Sequence, residues 1–185
     1  MKALIVVDVQ NDFCPGGALA VADGDMVVEP INQLVKQFEA EELPVVFTRD
    51  WHPKNHVSFK VNGGIWPIHC VAGTRGAAFH PGLYFPSVAF IVSKATEPDM
   101  EAYSGFQGTG LASWLRQLDV DELVVTGLAT DYCVKNTVTD ALKLGFSVSV
   151  VENAVKAVNV NPDDGEKAIG EMKNSGASLI SELMT

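Results

Sequence analysis

Short apolar runs alternate with longer amphipathic stretches along this chain, and that alternation predicts its elements. Ala3 to Val7 is continuously apolar, the pattern of a strand covered on both faces, and it stops at Asp8. Gln10 to Gly17 reads as loop and turn. Asp25 is placed to cap a helix in which Val27, Val28, Ile31, Leu34, Val35 and Phe38 recur at helical spacing. Pro44 to Thr48 predicts a second strand, left through Arg49-Asp50-Trp51-His52-Pro53, and Val88 to Val92 a third, ending in Ser93-Lys94. Thr109 or Gly110 opens a helix carrying Leu111, Trp114, Leu115 and Leu118. Leu123 to Thr126 is the fourth strand, Phe146 to Val151 the fifth and Ala177 to Ile180 the sixth. A helix follows the fourth strand, and Pro162 starts another before the sixth. From Pro53 to about Pro86 there is no periodic segment, only Gly, Pro, His and aromatic residues. So long a connection inside a compact domain is usually functional.

Strand and helix alternate throughout, without repeats, low-complexity segments or linkers. This predicts one α/β domain over residues 1–185: a six-stranded parallel sheet with helices on both faces, a three-layer Rossmann-like arrangement. Ligands of such sheets bind at the carboxyl ends of the strands. Asp8, Asp50, Lys94 and Cys133 each lie at or just past the carboxyl end of a different predicted strand, so all four should open onto one edge.

Composition narrows the partners of that edge. With 47% hydrophobic and 19% charged residues the chain reads as globular. A net charge of −10 without a basic run argues against nucleic acid or an anionic membrane as partner. No apolar run reaches the ~20 residues that span a bilayer. The N-terminus MKALIVVDVQ, with an aspartate inside its apolar run, is a poor signal peptide and a good strand. Cys14, Cys70 and Cys133 are far apart and odd in number, which suits neither a disulfide framework nor a thiolate zinc site; a reducing cytoplasm is expected.

The stretch Leu123 to Leu144 carries the candidate nucleophile. Cys133 follows a strand and the turn Gly127-Leu128-Ala129-Thr130-Asp131, then enters an amphipathic run. In a helix's first turn, free N–H groups and the dipole favour a thiolate, so a lowered thiol pKa is expected. Thr130 or Asp131 is placed to cap that helix. Asp8 can take the thiol proton and return it to a leaving amine. Lys94 can hold carboxylate and thiolate together and lower both pKa values. The amides of Ala129 and Cys133 bracket the turn and are candidates for an oxyanion hole. The bland alternative is a structural cysteine beside an ordinary Asp8–Lys94 ion pair.

Asp50-Trp51-His52, with His56 and His69 further on, offers a two-histidine, one-carboxylate set that suits Zn2+, Fe2+ or Mn2+ with positions left open. Lone histidines are mostly structural, yet three of the four here fall within eighteen residues. His80 reads as a surface turn residue. Phe13, Trp66 and Tyr103 follow the same geography and could sandwich a flat ring, or simply pack.

The segments VDVQNDFCPGGALAV, TRDWHPKNHVSF, WPIHCVAGTRGA, SKATEPDMEAYSGF and TGLATDYCVKNTVTDAL, in order from residue 2 to about residue 155, closely resemble the nicotinamidase branch of the isochorismatase-like cysteine hydrolases. The resemblance implies amide hydrolysis through a thioester, with Asp8, Lys94 and Cys133 catalytic. It implies one divalent ion, zinc before Fe2+ or Mn2+, on Asp50, His52 and His69. It implies oxyanion amides at Ala129 and Cys133 beside a cis peptide at Leu128–Ala129, and a ring pocket of Phe13, Trp66, Tyr103 and Ala129. His56 matches a position whose metal role varies and stays outside the ligand set. The implied reaction is nicotinamide plus water to nicotinate plus ammonia, in NAD salvage, with the ion holding the pyridine nitrogen and pyrazinamide as a fitting isostere. A sister hydrolase of another small amide, ureido compound or isochorismate is the alternative, and those branches generally lack the Asp-x-His…His set. A catalytically silent metal-binding or interaction protein on the same fold is a third reading, and homo-oligomerisation is left open.

Overall fold

Six parallel strands are observed in the computed structural model, which describes residues 1–181. They are β1 (Lys2–Val7), β2 (Val45–Asp50), β3 (Phe90–Lys94), β4 (Glu122–Leu128), β5 (Ser147–Lys156) and β6 (Ser178–Ile180). Their order across the sheet is β3-β2-β1-β4-β5-β6. Helices α1 (Val28–Ala40), α2 (Leu111–Gln117), α3 (Lys135–Lys143) and α4 (Asp164–Asn174) provide the crossovers.

The strand sequences are continuously apolar because both faces are covered. Leu4 and Val6 of β1 pack with Ile31, Leu34, Val35 and Phe38 of α1 in one core. Ala3, Ile5 and Val7 pack on the opposite face with Leu111, Leu115, Val138, Ala141 and Met172, from α2, α3 and α4. The five buried side chains of α1 supply on the order of 8–15 kcal/mol of gross transfer free energy. That burial, rather than a cap, holds the helix. Asp25 lies inside a short 3-10 turn, Gly24–Val27, and no side chain caps α1. No α-helix joins β2 to β3, only a short 3-10 turn at Lys60–Asn62. The long loop instead lays Phe79 and Phe85 on Phe47, with ring centroids 5.9 and 4.3 Å away, and so does a crossover helix's work without helical periodicity.

Two strand ends differ usefully from the hydrophobic pattern. β2 continues through Arg49 to Asp50, and β3 runs on to Lys94, because Arg49 pairs in register with Ser93 and Asp50 with Lys94. Ladder hydrogen bonds carry polar residues into the strands where side-chain polarity alone predicts their end. The chain steps outward from β1 to β2 and β3 on one side, and from β4 to β5 and β6 on the other. The crevice between the carboxyl ends of β1 and β4 is therefore the switch point where such sheets bind ligands. Gly127 makes the close approach there. Its φ is +107°, and a Cβ would collide with the Val7 backbone.

The junction after β4 also differs from expectation. Thr130–Val134 forms one wide π-helical turn before α3 begins, so Cys133 sits in that turn rather than in the first turn of an α-helix. Such turns are frequent at functional sites. Neither Thr130 nor Asp131 caps it. The Asp131 carboxylate instead accepts the amides of Val158 and Asn159, each at 2.9 Å. The peptide bond Leu128–Ala129 is cis. Among the described residues no helix is long and apolar enough to cross a membrane.

Candidate active site

Four strand ends meet at the Lys94 ammonium. Asp8 leaves β1 with a left-handed backbone, φ 48°, which turns it over the sheet edge. Asp50 and Lys94 end β2 and β3, and Cys133 follows β4. Lys94 Nζ donates to Asp50 Oδ1 and, at 3.2 Å, to the Ala102 carbonyl; it lies 2.9 Å from Asp8 Oδ2 and 3.5 Å from Cys133 Sγ. All four side chains are buried. Asp8 Oδ1 accepts the Thr48 hydroxyl at 2.7 Å. Asp8 Oδ2 is close to Nζ but outside hydrogen-bonding directions, and it keeps a free lone pair.

One ammonium between two carboxylates drives their pKa values apart. Burial pushes Asp50 up, but the Lys94 ammonium outweighs it and holds its carboxyl well below the usual range. Burial also pushes Asp8 up, the Asp50 charge adds to that, and Lys94 offsets only part of it, so Asp8 ends above its ordinary value. Asp50 is thus fixed as an anion while Asp8 is ready to bind a proton, the separation that defines an acid–base pair. The thiol departs from the sequence expectation. Burial lifts Cys133 well above its ordinary value, Lys94 lowers it only in part, and Asp8 and Asp50 lift it further. Lys94 does pull both groups down, as expected, but desolvation wins. Cys14 and Cys70 are lifted as well, chiefly by burial. A thiol at Cys133 therefore faces a proton acceptor, and its use as a nucleophile would need proton transfer to that acceptor.

Asp50 is shared with a second cluster. Its Oδ2 lies 3.5 Å from His52 Nε2 and 3.9 Å from His69 Nε2. The His52 Nδ1–H donates to the Ala95 carbonyl at 3.2 Å, and the His69 Nδ1–H to the Pro67 carbonyl at 2.8 Å. Carbonyls only accept, so both rings turn a bare Nε2 toward the carboxylate, as metal-binding histidines do when a carbonyl holds their other nitrogen. His52 Nε2 is buried and has no hydrogen-bond partner among the described residues. An ion with bonds of about 2.0–2.2 Å in a tetrahedral shell sets its ligand atoms about 3.3–3.6 Å apart. The two carboxylate–imidazole distances fit that spacing to within a few tenths of an ångström, and the three ligand atoms all lie within 4.8 Å of one another. His56 does not join them. Its Nδ1 is 2.7 Å from Ser58 Oγ and its Nε2 3.0 Å from the Met100 carbonyl, so both nitrogens are engaged while the ring stacks on His52. His80 accepts the Gly82 amide within a turn.

Above these groups lies a narrow cleft lined by Phe13, Leu19, Trp66, Tyr103, Ala129, Tyr132 and Val158 together with Asp50, His69 and Cys133. Mostly apolar walls with a few convergent polar groups are the usual make-up of a small-molecule site. The Trp66 indole N–H donates to the Tyr103 hydroxyl at 2.9 Å and ties two walls together. Tyr132 stands edge-on to Trp66, with centroids 5.0 Å apart.

The family model described as the isochorismatase domain matches residues 2–182. The chain belongs to the isochorismatase family. A nicotinamidase of Escherichia coli is 42% identical, over 96% of this chain and 93% of its own length. The pyrazinamidase of Pyrococcus horikoshii, solved in complex with zinc, is 49% identical with a TM-score of 0.94, covering 98% of this chain and 99% of that one. PnC1 from L. infantum, solved in complex with nicotinate, is 36% identical with a TM-score of 0.91, covering 97% of this chain and 92% of that one.

Within this family member the structure brings together every site residue expected from sequence: Asp8, Lys94 and Cys133; Asp50, His52 and His69; Phe13, Trp66, Tyr103 and Ala129. Tyr132, Leu19 and Val158 were not expected in the pocket. Tyr132 precedes Cys133, so its neighbour's position was the available signal. Leu19 and Val158 carry none, because each reaches the cavity through a loop.

Proposed function

We propose that this chain is a metal-dependent cysteine amidohydrolase that converts nicotinamide to nicotinate and ammonia, and accepts pyrazinamide. One observation carries the reading: Lys94 Nζ gathers Asp8, Asp50 and the Cys133 sulfur where Asp50 and Cys133 also line an aromatic-walled cavity. On this reading the ring enters between Phe13, Trp66 and Tyr103, with its carboxamide over Cys133. When bound by Asp50, His52 and His69, a divalent ion would supply Lewis-acid attraction for the ring nitrogen, directly or through water.

Cys133 attacks the carboxamide carbon as its proton passes to Asp8 Oδ2, and Lys94 steadies the charge left on sulfur. The amides of Ala129 and Cys133 meet the charge that develops on the carbonyl oxygen. Asp8 then gives its proton to the nitrogen, the C–N bond breaks and ammonia leaves a nicotinoyl thioester. Water attacks the thioester while Asp8 takes its proton. The C–S bond breaks, sulfur recovers that proton from Asp8, and nicotinic acid ionises to nicotinate. Residues 1–185 act here as one hydrolase domain. Zinc is the proposed ion, supported by the donor set and by the Pyrococcus horikoshii complex. A cytoplasmic role in NAD salvage is supported by three buried, unpaired cysteines, which suit a reducing compartment.

The test is ammonia release from nicotinamide by purified protein, with and without chelator, beside Cys133→Ala. Turnover should be lost in the variant, and quenched wild type should carry a nicotinoyl adduct on Cys133 by mass spectrometry. Wild-type turnover by Cys133→Ala would sink the covalent route.

A further inference from the structure

Gln10 reaches Asp50 as a neighbouring strand would. β1 and β2 pair residue by residue from Leu4–Val45 to Val7–Thr48. The Asp8 amide still donates to the Thr48 carbonyl at 3.1 Å, but at Asp8 the left-handed backbone carries the chain out of the sheet. Asp50, two residues further along β2, pairs with Lys94 of β3 on one side. On its other side β1 has ended. The Gln10 carboxamide takes that place. Its Oε1 accepts the Asp50 N–H and its Nε2 donates to the Asp50 carbonyl, both at 2.8 Å. The second Nε2 hydrogen goes to the Ala77 carbonyl, also at 2.8 Å, in the loop that carries His69. The side chain is wholly buried.

We infer that Gln10 is a positioning residue for the metal centre, an inference that rests on the metal reading above. By bonding both the N–H and the C=O of one residue, it fixes the peptide planes on either side of Asp50. The direction of the Asp50 side chain follows, with Oδ1 toward Lys94 and Oδ2 toward the two Nε2 atoms. Glutamine alone fits the task. Glutamate has no N–H to give and sets an oxygen against two carbonyls, asparagine is one methylene short, and methionine fills the space without polar atoms. Loosening an outer partner of a metal ligand costs about 10–100-fold in metal affinity.

The experiment is the Zn2+ affinity of chelator-stripped protein, measured by competition with a chromophoric chelator, for wild type, Gln10→Met, Gln10→Glu and Thr48→Val. Thr48 is equally buried and bonds Asp8 in the same corner through its side chain, so its variant reports general damage. Both Gln10 variants should bind Zn2+ about 10–100-fold more weakly while keeping the wild-type far-UV spectrum, and Thr48→Val should keep its affinity. Wild-type affinity in a folded Gln10 variant, or an equal loss in Thr48→Val, overturns the role. Hydrogen exchange on the metal-free wild type decides the matter if the Gln10 variants do not fold. The Asp50 amide should be as protected as the strand interior, and exchange at a loop's rate overturns the clamp. Wild type that binds no Zn2+ overturns the metal reading instead, a result distinct from tight binding by every variant.

Discussion

Replacing Lys94 by methionine tests the electrostatic design of the site. The stem volume is kept, so the cavity term is small. The ammonium, 1% exposed, disappears from between Asp8 and Asp50, which are 0% and 5% exposed. Breaking a buried ion pair by removing one partner costs about 3–5 kcal/mol. Asp8 limits the loss, because burial already lifts its pKa and it can take up a proton instead of remaining charged. Asp50 bears most of it, because Lys94 is the largest influence holding its carboxyl down. The lower end of the range, about 3 kcal/mol, corresponds to a fall in Tm of roughly 6–12 °C for a chain of this size. The assay is thermal melting in chelator at several pH values. Asp50 has a depressed folded pKa, so its stabilisation is present above the unfolded value of 3.8 and is lost as pH falls through the folded one. The gap between wild type and variant should therefore be wide at neutral pH and close on acidification. Lys94 also pulls the Cys133 thiol down, so the variant should react more slowly with iodoacetamide near neutral pH. A Tm at pH 7 indistinguishable from wild type, or a gap that widens toward acid, would refute the reasoning.

The other expected outcomes are these. His52→Ala should lose bound metal and most nicotinamide turnover while its far-UV spectrum survives; full turnover by verified metal-free protein would refute the metal's role. Asp131→Ala frees the Val158 and Asn159 amides and with them one pocket wall, so KM for nicotinamide should rise roughly tenfold with kcat little changed, as steady-state kinetics would read. Burial and Asp25 lift the Cys14 thiol to about 11 from 9.0, so the folded chain keeps a proton that the unfolded chain releases. Stability should then fall as pH rises from 9.0 toward 11, by on the order of 1 kcal/mol after solvent screening, and Cys14→Ala should flatten that slope in denaturant melts.

Much of this was legible because a strand buried on both faces must be continuously apolar, so the first ionisable residue after it marks the end of the sheet. Asp8 and Lys94 stand out for that reason, while Asp50 comes one residue after Arg49 and Cys133 two after Asp131, each still within reach of its strand's end. The exact strand ends were not legible at Asp50 and Lys94, since they depend on pairing with a neighbour far away in sequence. Gln10 illustrates the same blindness. In the sequence it is one polar residue in a loop, and its meaning appears only when β1 ends before β2 does. The Asp-x-His pair singles out His52, but spacing alone does not choose between His56 and His69, and Ser58 with the Met100 carbonyl decides against His56 as a ligand. The direction of the Cys133 pKa was also out of reach. Helix position argues for a lowered value, but the burial that reverses it is a property of the assembled site.

The choice of lysine at position 94 follows from the strand order. Neighbouring strands lie about 4.8 Å apart, so β3 and β4, three steps removed, are separated by roughly 14 Å. The cation must pass Asp50 on β2 and Asp8 after β1 before it nears Cys133. Only a long side chain makes that crossing, and only a compact charge can stand 2.9 Å from one carboxylate oxygen, bond another and remain 3.5 Å from sulfur. Arginine has the length, but its planar fork spreads the charge over a wide head and favours two-point binding of one carboxylate. It would pair with Asp50 or with Asp8 and crowd the thiol. Lys94→Arg should accordingly restore charge, and with it part of the lost stability, but not turnover. Because position 94 keeps its charge in that variant, stability and catalysis should part company there.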